Sequence, residues 1–176
     1  GGEPHEIAAL FRAGALVLGA AIGTLNEQDV AAYTETGTWA GKAIKEAKLF
    51  GHVEIVGSSK ETNYTTMPKN IAVPPTAAYL HITTNETIAG TQWHQLPYDC
   101  GVPVVADMSS DIFSRTMNFK QFSLIYAGAQ KNMGAAGVTI VAVKKEILGK
   151  TTRTIPSILD YQKHIDAGSL LNTPPV

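Results

Sequence analysis

The sequence predicts an α/β fold, and three observations predict it. An amphipathic helix over residues 38–50 leads directly into a short apolar strand, which is one half of a βαβ unit. Four further short strands follow, and several are near-continuous apolar runs, as in a sheet buried on both faces. No internal repeat, heptad or low-complexity tract competes with that reading. The 176 residues suit one domain with enough core to fold without staples. A formal net charge of −1, from 14 Lys+Arg against 15 Asp+Glu, leaves no electrostatic footprint for nucleic acid or an anionic membrane. Cys100 is the one cysteine, so no disulfide framework exists within the chain, and a reducing, cytoplasmic setting is expected.

The first elements are the least distinct. The apolar run 13–22 follows Arg12 and imitates a signal peptide, but Glu3 and Glu6 precede it and it is too short to span a bilayer. A helix or strand beside the core is the plainer expectation. Over 38–50, Ala40, Ala43, Ile44 and Ala47 recur at helical spacing, with Lys42, Lys45, Glu46 and Lys48 between them, and Gly51 stands where a helix stops. Residues 52–56 form the following strand, ended by Gly57-Ser58-Ser59. The polar, proline-bearing stretch 60–76 is a loop. Strands are then expected at 78–82, 102–106, 123–126 and 138–143, the last almost wholly β-branched. A short helix at 144–148 stops at Gly149, and the tail from 155 to 176 reads as irregular. The triplets Asn63-Tyr64-Thr65 and Asn85-Glu86-Thr87 match a glycosylation pattern that is mostly chance in a chain without a clear export signal.

Ligand sites in open α/β sheets gather outside the carboxyl ends of strands. Three polar groups stand at such ends here: residues 84–87 after the second strand, Asp107 after the third, and residues 128–132 after the fourth. Taken singly, each has a plain explanation. An Asp at a strand end caps a turn, and a lone Lys in a glycine-containing loop is usually solvated. Gly128 and Gly134 have five residues between them and no Lys-Ser/Thr follows, so the stretch is not a P-loop. The five histidines lack metal-ligand spacing, and no metal is proposed.

Together the groups point to one chemistry. A neutral lysine amine attacks carbonyls to form Schiff bases. Pyridoxal phosphate needs such a lysine, a carboxylate against its pyridinium nitrogen, a hydrogen-bonding group and an aromatic face. Lys131, Asp107, Thr87 and Trp39 supply one of each.

At these residues the sequence resembles the phosphoserine aminotransferases, class-V members of the fold-type I pyridoxal-phosphate enzymes. The resemblance is carried by residues 107–115, by Ile125-Tyr126-Ala127-Gly128-Ala129-Gln130-Lys131-Asn132 and by residues 156–161. Residues 85–88, 37–39, 42–48 and 172–175 add to it, in the family's order and with closely matching spacings. It runs from about Ala31 to the end of the chain.

The resemblance implies a three-layer α/β/α large domain with a mainly parallel, seven-stranded sheet. It implies that Lys131 forms the internal aldimine and shuttles the α-proton, that Asp107 partners the pyridinium and that Trp39 stacks on the ring. Thr87 would bind the cofactor at its phenolic oxygen, and Gln130 would contact its phosphate. Asn172 and Thr173 would reach the cofactor phosphate of a neighbouring subunit, which implies a homodimer with shared sites. The implied substrates are glutamate and 3-phosphohydroxypyruvate, giving phosphoserine and 2-oxoglutarate in serine biosynthesis.

Two departures accompany the resemblance. Residues 3–28 do not continue the family's pattern, so no glycine-rich phosphate cup is assigned, although Gly1-Gly2 and Ala13-Gly14 are candidates for a remnant. The chain also lacks the family's N-terminal segment with its substrate-contacting His-Arg pair, and the C-terminal small domain. Residues 1–176 are therefore expected to be a large, cofactor-binding domain in part. A non-catalytic cofactor-binding or dimerisation fragment is one alternative. Another fold-type I enzyme is a second; as a desulfurase it would need Cys100 as its sulfur carrier.

Overall fold

Burial of small and β-branched side chains between neighbouring strands organises this chain around one sheet. The computed structural model describes residues 5–11, 26–95 and 100–171. The apolar run 13–22 and the 172–175 motif, with Asn172 and Thr173, lie outside the described residues. In chain order the strands are β1 (His5–Phe11), β2 (Val30–Glu35), β3 (His52–Ser58), β4 (Tyr79–Thr83), β5 (Asn85–Glu86), β6 (Thr91–Gln92), β7 (Val104–Asp107), β8 (Leu124–Gly128) and β9 (Val138–Lys144). Among the described residues the α-helices are α1 (Thr38–Ala47) and α2 (Tyr161–Asp166).

Seven strands form one sheet in the order β1-β9-β8-β7-β4-β2-β3, and β5 pairs with β6 as a separate small hairpin. The pairings β3/β2, β2/β4, β4/β7 and β7/β8 are parallel. β9 is antiparallel to both β8 and β1. The sheet is thus mainly parallel and seven-stranded, as expected. The chain runs from β2 outward to β3 and then returns to the other side of β2 as β4. That reversal is a topological switch point, and the crevice outside such a point is where ligands bind.

The two faces are packed differently. One buries Ala31, Tyr33, Tyr79, Val105, Tyr126 and Val143 against Ala43, Ile44 and Ala47 of α1 and Tyr161 of α2. The other buries Ala32, Leu80, Ile82, Val104, Ala106 and Ile125 against Met108, Ile112 and Phe122 from connecting segments. Among the described residues both helices therefore lie on the first face.

Four points differ from the sequence expectations. β2 carried no apolar signal because its middle reads Ala31-Ala32-Tyr33-Thr34; its central position between β3 and β4 buries these residues completely, and small side chains fit there. The tail after 155 is not irregular throughout. Asp160 Oδ1 accepts the backbone N–H of Gln162 at 3.0 Å and starts α2, whose Tyr161 and His164 are buried. The 52–56 strand is not buried on both faces, because β3 is the edge of the sheet and Ile55 is exposed. The helix expected over 38–50 ends at Ala47 and continues as turn.

Leu80 is fully buried in β4, whereas Leu49 is exposed beyond α1. Leu80→Ala is expected to lower unfolding stability by about 2–5 kcal/mol, and Leu49→Ala by no more than ~0.5 kcal/mol. Urea denaturation of both variants checks this; equal effects would place the core elsewhere.

Candidate functional site

The carboxyl ends of β2, β4, β7 and β8 meet at one edge of the sheet. Thr83 of β4 is in register with Asp107 of β7, and Asp107 is in register with Tyr126 of β8. Trp39 follows β2 in the first turn of α1, Thr87 lies in the turn of the β5–β6 hairpin, and Lys131 lies in the loop joining β8 to β9. The predicted residues on four different connections are thereby brought together.

Thr87 is the hub. Its Oγ1 accepts the indole Nε1–H of Trp39 at 3.2 Å and the Nζ of Lys131 at 3.4 Å. With both donors on the oxygen, the Thr87 hydroxyl proton is free to serve a third group. Lys131 Nζ stands 5.8 Å from the centre of the Trp39 ring, and Lys42 Nζ stands 4.6 Å from it. Cations over an indole are favoured by its electron-rich face. Trp39 is 39% exposed and Lys131 is exposed, so the group opens to solvent.

Asp107 is half-buried at the base of this opening. Its Oδ1 accepts the Ser109 N–H at 2.9 Å, and Ser109 Oγ accepts the Gly128 N–H at 3.2 Å, which ties the β7 and β8 ends together. Burial pushes the Asp107 carboxyl above its ordinary value of 3.8, while Ser109, the Lys131 charge and the Tyr126 hydroxyl oppose that rise. A buried carboxylate held this way favours a cationic partner.

Glu86 was quoted within a motif but given no role, and it is the main residue that sequence reasoning missed. It is fully buried. Its Oε2 accepts the Trp39 N–H at 3.1 Å and its Oε1 accepts the Ala40 N–H at 2.8 Å. The carboxylate thus caps the first turn of α1, which carries Trp39. Glu86 holds the Trp39 backbone while Thr87, the next residue, holds its indole. A Cβ at Gly37 would lie 2.5 Å from the Glu86 carboxyl carbon, so only glycine admits this approach.

The hairpin that carries Thr87 is itself clamped. Buried Asp111 accepts from Gln92 Nε2 at 2.6 Å and pairs with Arg115 at 3.1 Å. Arg115 also donates to the Trp93 carbonyl at 2.7 Å. Gln130 is exposed beside Lys131, with its side chain packed over Gly128. Cys100 lies half-buried before the amino end of β7, on the opposite edge of the sheet from Asp107. That placement gives no support to Cys100 as a sulfur carrier.

A protein-family model described as "Aminotransferase class-V" matches residues 12–166. Phosphoserine aminotransferase of Flavobacterium psychrophilum is 60% identical over 152 residues, covering 86% of this chain and 42% of that protein. The phosphoserine aminotransferase of Halalkalibacterium halodurans is 46% identical and covers 98% of this chain and 49% of that one. The chain thus spans about half the length of the curated relatives it matches. Among solved structures, phosphoserine aminotransferase from Bacillus circulans subsp. alkalophilus superposes with a TM-score of 0.92 at 42% identity, covering 97% of this chain and 48% of that one. A PLP-bound phosphoserine aminotransferase from Trichomonas vaginalis gives 0.88 at 30% identity, covering 98% and 50%. The similarity begins well before Ala31, which corrects the expected starting point of the resemblance.

Pyridoxal phosphate is the cofactor of class-V aminotransferases, and the residues fit it. A primary amine, a hydroxyl with a free proton, an accessible indole and a desolvated carboxylate converge on one opening.

The raised Asp107 value has a consequence for the cofactor-free protein. The folded state binds the Asp107 proton more tightly than the unfolded chain does. Its stabilising contribution is therefore complete below 3.8 and is lost as pH rises through the raised folded value. Relative to Asp107→Asn, the wild type is expected to lose stability over that rise, as read by thermal melts at several pH values. A wild type that gains stability relative to Asp107→Asn as pH rises would contradict the assignment.

Proposed function

This chain belongs to the aminotransferase class-V family, and on that premise we propose that it supplies the cofactor site of a phosphoserine aminotransferase. That enzyme transfers an amino group between glutamate and 3-phosphohydroxypyruvate, giving phosphoserine and 2-oxoglutarate in serine biosynthesis. The observation that carries the reading is the convergence of Lys131, Thr87 and Trp39 beside a desolvated Asp107. The names of the relatives support the choice of substrates.

When bound, pyridoxal phosphate supplies an electrophilic carbonyl and an electron sink for charge at the substrate α-carbon. Lys131 presents the amine that holds the cofactor carbonyl and afterwards carries the α-proton at Nζ. Thr87 orients that amine and donates its own hydroxyl proton to the cofactor's phenolic oxygen. Trp39 provides the aromatic face, fixed at its indole by Thr87 and at its backbone by Glu86. Asp107 holds negative charge opposite the ring nitrogen. Gln130 offers an amide donor to the phosphate. In this reading residues 1–176 are part of the large domain of a cytoplasmic homodimer, and Asn172 and Thr173 serve the phosphate of the partner's cofactor.

Borohydride treatment of the protein with pyridoxal phosphate, followed by peptide mass spectrometry, is expected to place the reduced label on Lys131. Lys131→Ala should lose that label and lower transamination by ~10²–10⁴-fold. A label on another lysine, or undiminished turnover in the variant, contradicts the proposal. Labelling of Lys131 without any turnover in the native polypeptide would favour a cofactor-binding role without catalysis.

A further inference from the structure

Lys131 is the residue whose placement matters most to the functional reading, yet its side chain is loosely held. Its Nζ stands 3.4 Å from Thr87 Oγ1, which is long for a hydrogen bond. The residue is exposed, and its four-carbon stem is flexible. Where the amine can reach is therefore set by the backbone turn that carries it.

That turn is closed on itself. The Ala129 carbonyl accepts the backbone N–H groups of Met133 at 3.0 Å and Gly134 at 2.9 Å, and the Ala129 N–H donates to the Val138 carbonyl at 2.9 Å. Two hydrogen bonds tie the closed turn to the connection that follows β7. Before Lys131, the Gly128 N–H donates to Ser109 Oγ at 3.2 Å. After it, Asn132 Nδ2 donates to the Ile112 carbonyl at 2.9 Å. Met133, the next residue, packs against the core cluster that contains Ile112 and Met108.

The far end of this tie is firm, and its chain starts at Asp107. Ile112 is buried. Its N–H and that of Asp111 both donate to the Met108 carbonyl at 2.9 Å, and the Met108 N–H donates to the Tyr126 carbonyl at 2.9 Å. The Ser109 N–H donates to Asp107 Oδ1 at 2.9 Å. Residues 107–112 thus form one folded-back segment, with the Asp107 carboxylate at one end and the Asn132 anchor at the other. The anchor demands a donor. A carbonyl oxygen only accepts, so the amide NH₂ of Asn132 suits it and a carboxylate does not.

We propose that Asn132 is a positioning residue: through Ile112 it fixes the turn carrying Lys131 relative to Asp107, and so sets the span between amine and carboxylate before any cofactor arrives. This rests on the reading of Lys131 and Asp107 as two groups that face the cofactor. Without the anchor, Trp39, the hairpin of Thr87 and Asp107 keep their own supports from Glu86, Asp111 and Ser109. What is lost is the placement of the amine. Misplacing a reacting atom by about 1 Å costs up to ~10²-fold in a well-ordered site.

Two ligands separate placement of the amine from integrity of the pocket. Pyridoxal phosphate has an aldehyde that condenses with the Lys131 amine and releases water. Deoxypyridoxine phosphate has a methyl in its place and binds without condensing. In equilibrium dialysis of the native polypeptide, Asn132→Ala is expected to weaken pyridoxal phosphate by about tenfold and deoxypyridoxine phosphate by less than about twofold. Asn132→Asp, which sets a carboxylate against the Ile112 carbonyl, should weaken pyridoxal phosphate at least as much. With Lys131→Ala already present, adding Asn132→Ala should change neither affinity by more than about twofold. Equal losses for both ligands, no loss for pyridoxal phosphate, or a loss that persists without Lys131 overturns the proposal. If Asn132→Ala does not fold, Asn132→Ser, too short to reach Ile112, decides by the same ratio. Failure of both to fold makes the contact a general support and overturns the proposal too. A wild type that binds neither ligand, or whose borohydride label falls away from Lys131, is a failure of the cofactor reading itself and takes the proposal with it.

Discussion

Parallel pairing of β2, β4, β7 and β8 sets the ends of four strands along one edge, and every group in the site hangs from that edge. Parallel strands require crossovers, so the connections that leave this edge are long enough to carry functional residues. The register then decides which of them meet. Thr83, Asp107 and Tyr126 stand side by side on three neighbouring strands. A slip of one residue in β7 would turn the Asp107 side chain to the other face of the sheet. The dense core on both faces makes such a slip expensive, and so the apolar packing holds the polar site in place.

A second tier of contacts converts that coarse placement into geometry. Glu86 fixes the start of α1 and so the backbone of Trp39. Thr87 fixes the indole and meets the Lys131 amine. The Asp111–Arg115 pair anchors the hairpin that presents both residues. The Glu86 and Asp111 contacts are charge-assisted and desolvated, which makes them stronger than neutral ones and costly to break singly. The supporting tier is thus built from carboxylates: one at a helix start, one beneath a hairpin and one facing the opening.

The sequence was most legible where chemistry and pattern coincided. The β-branched run at 138–143 and the helical spacing of Ala40, Ala43, Ile44 and Ala47 announced β9 and α1. Lys131, Asp107, Thr87 and Trp39 stood out because each follows a strand or opens a helix, and the structure unites them. β2 was hidden because full burial between two strands suits alanine, which carries no strand signal of its own. Glu86 was hidden because a helix cap supplied from 46 residues away leaves no local trace. The contact of Asn132 with Ile112 was hidden for the same reason: it joins two separate connections.

The central claim is that one opening presents Lys131, Trp39 and Asp107 to a single cofactor. A crystal structure of the native polypeptide with pyridoxal phosphate tests it most directly. The account predicts density joining the cofactor to Nζ of Lys131, its ring against Trp39 and its ring nitrogen within hydrogen-bonding reach of Asp107. Cofactor joined to Lys42, the other amine over the Trp39 ring, or a ring nitrogen facing away from Asp107, would contradict it.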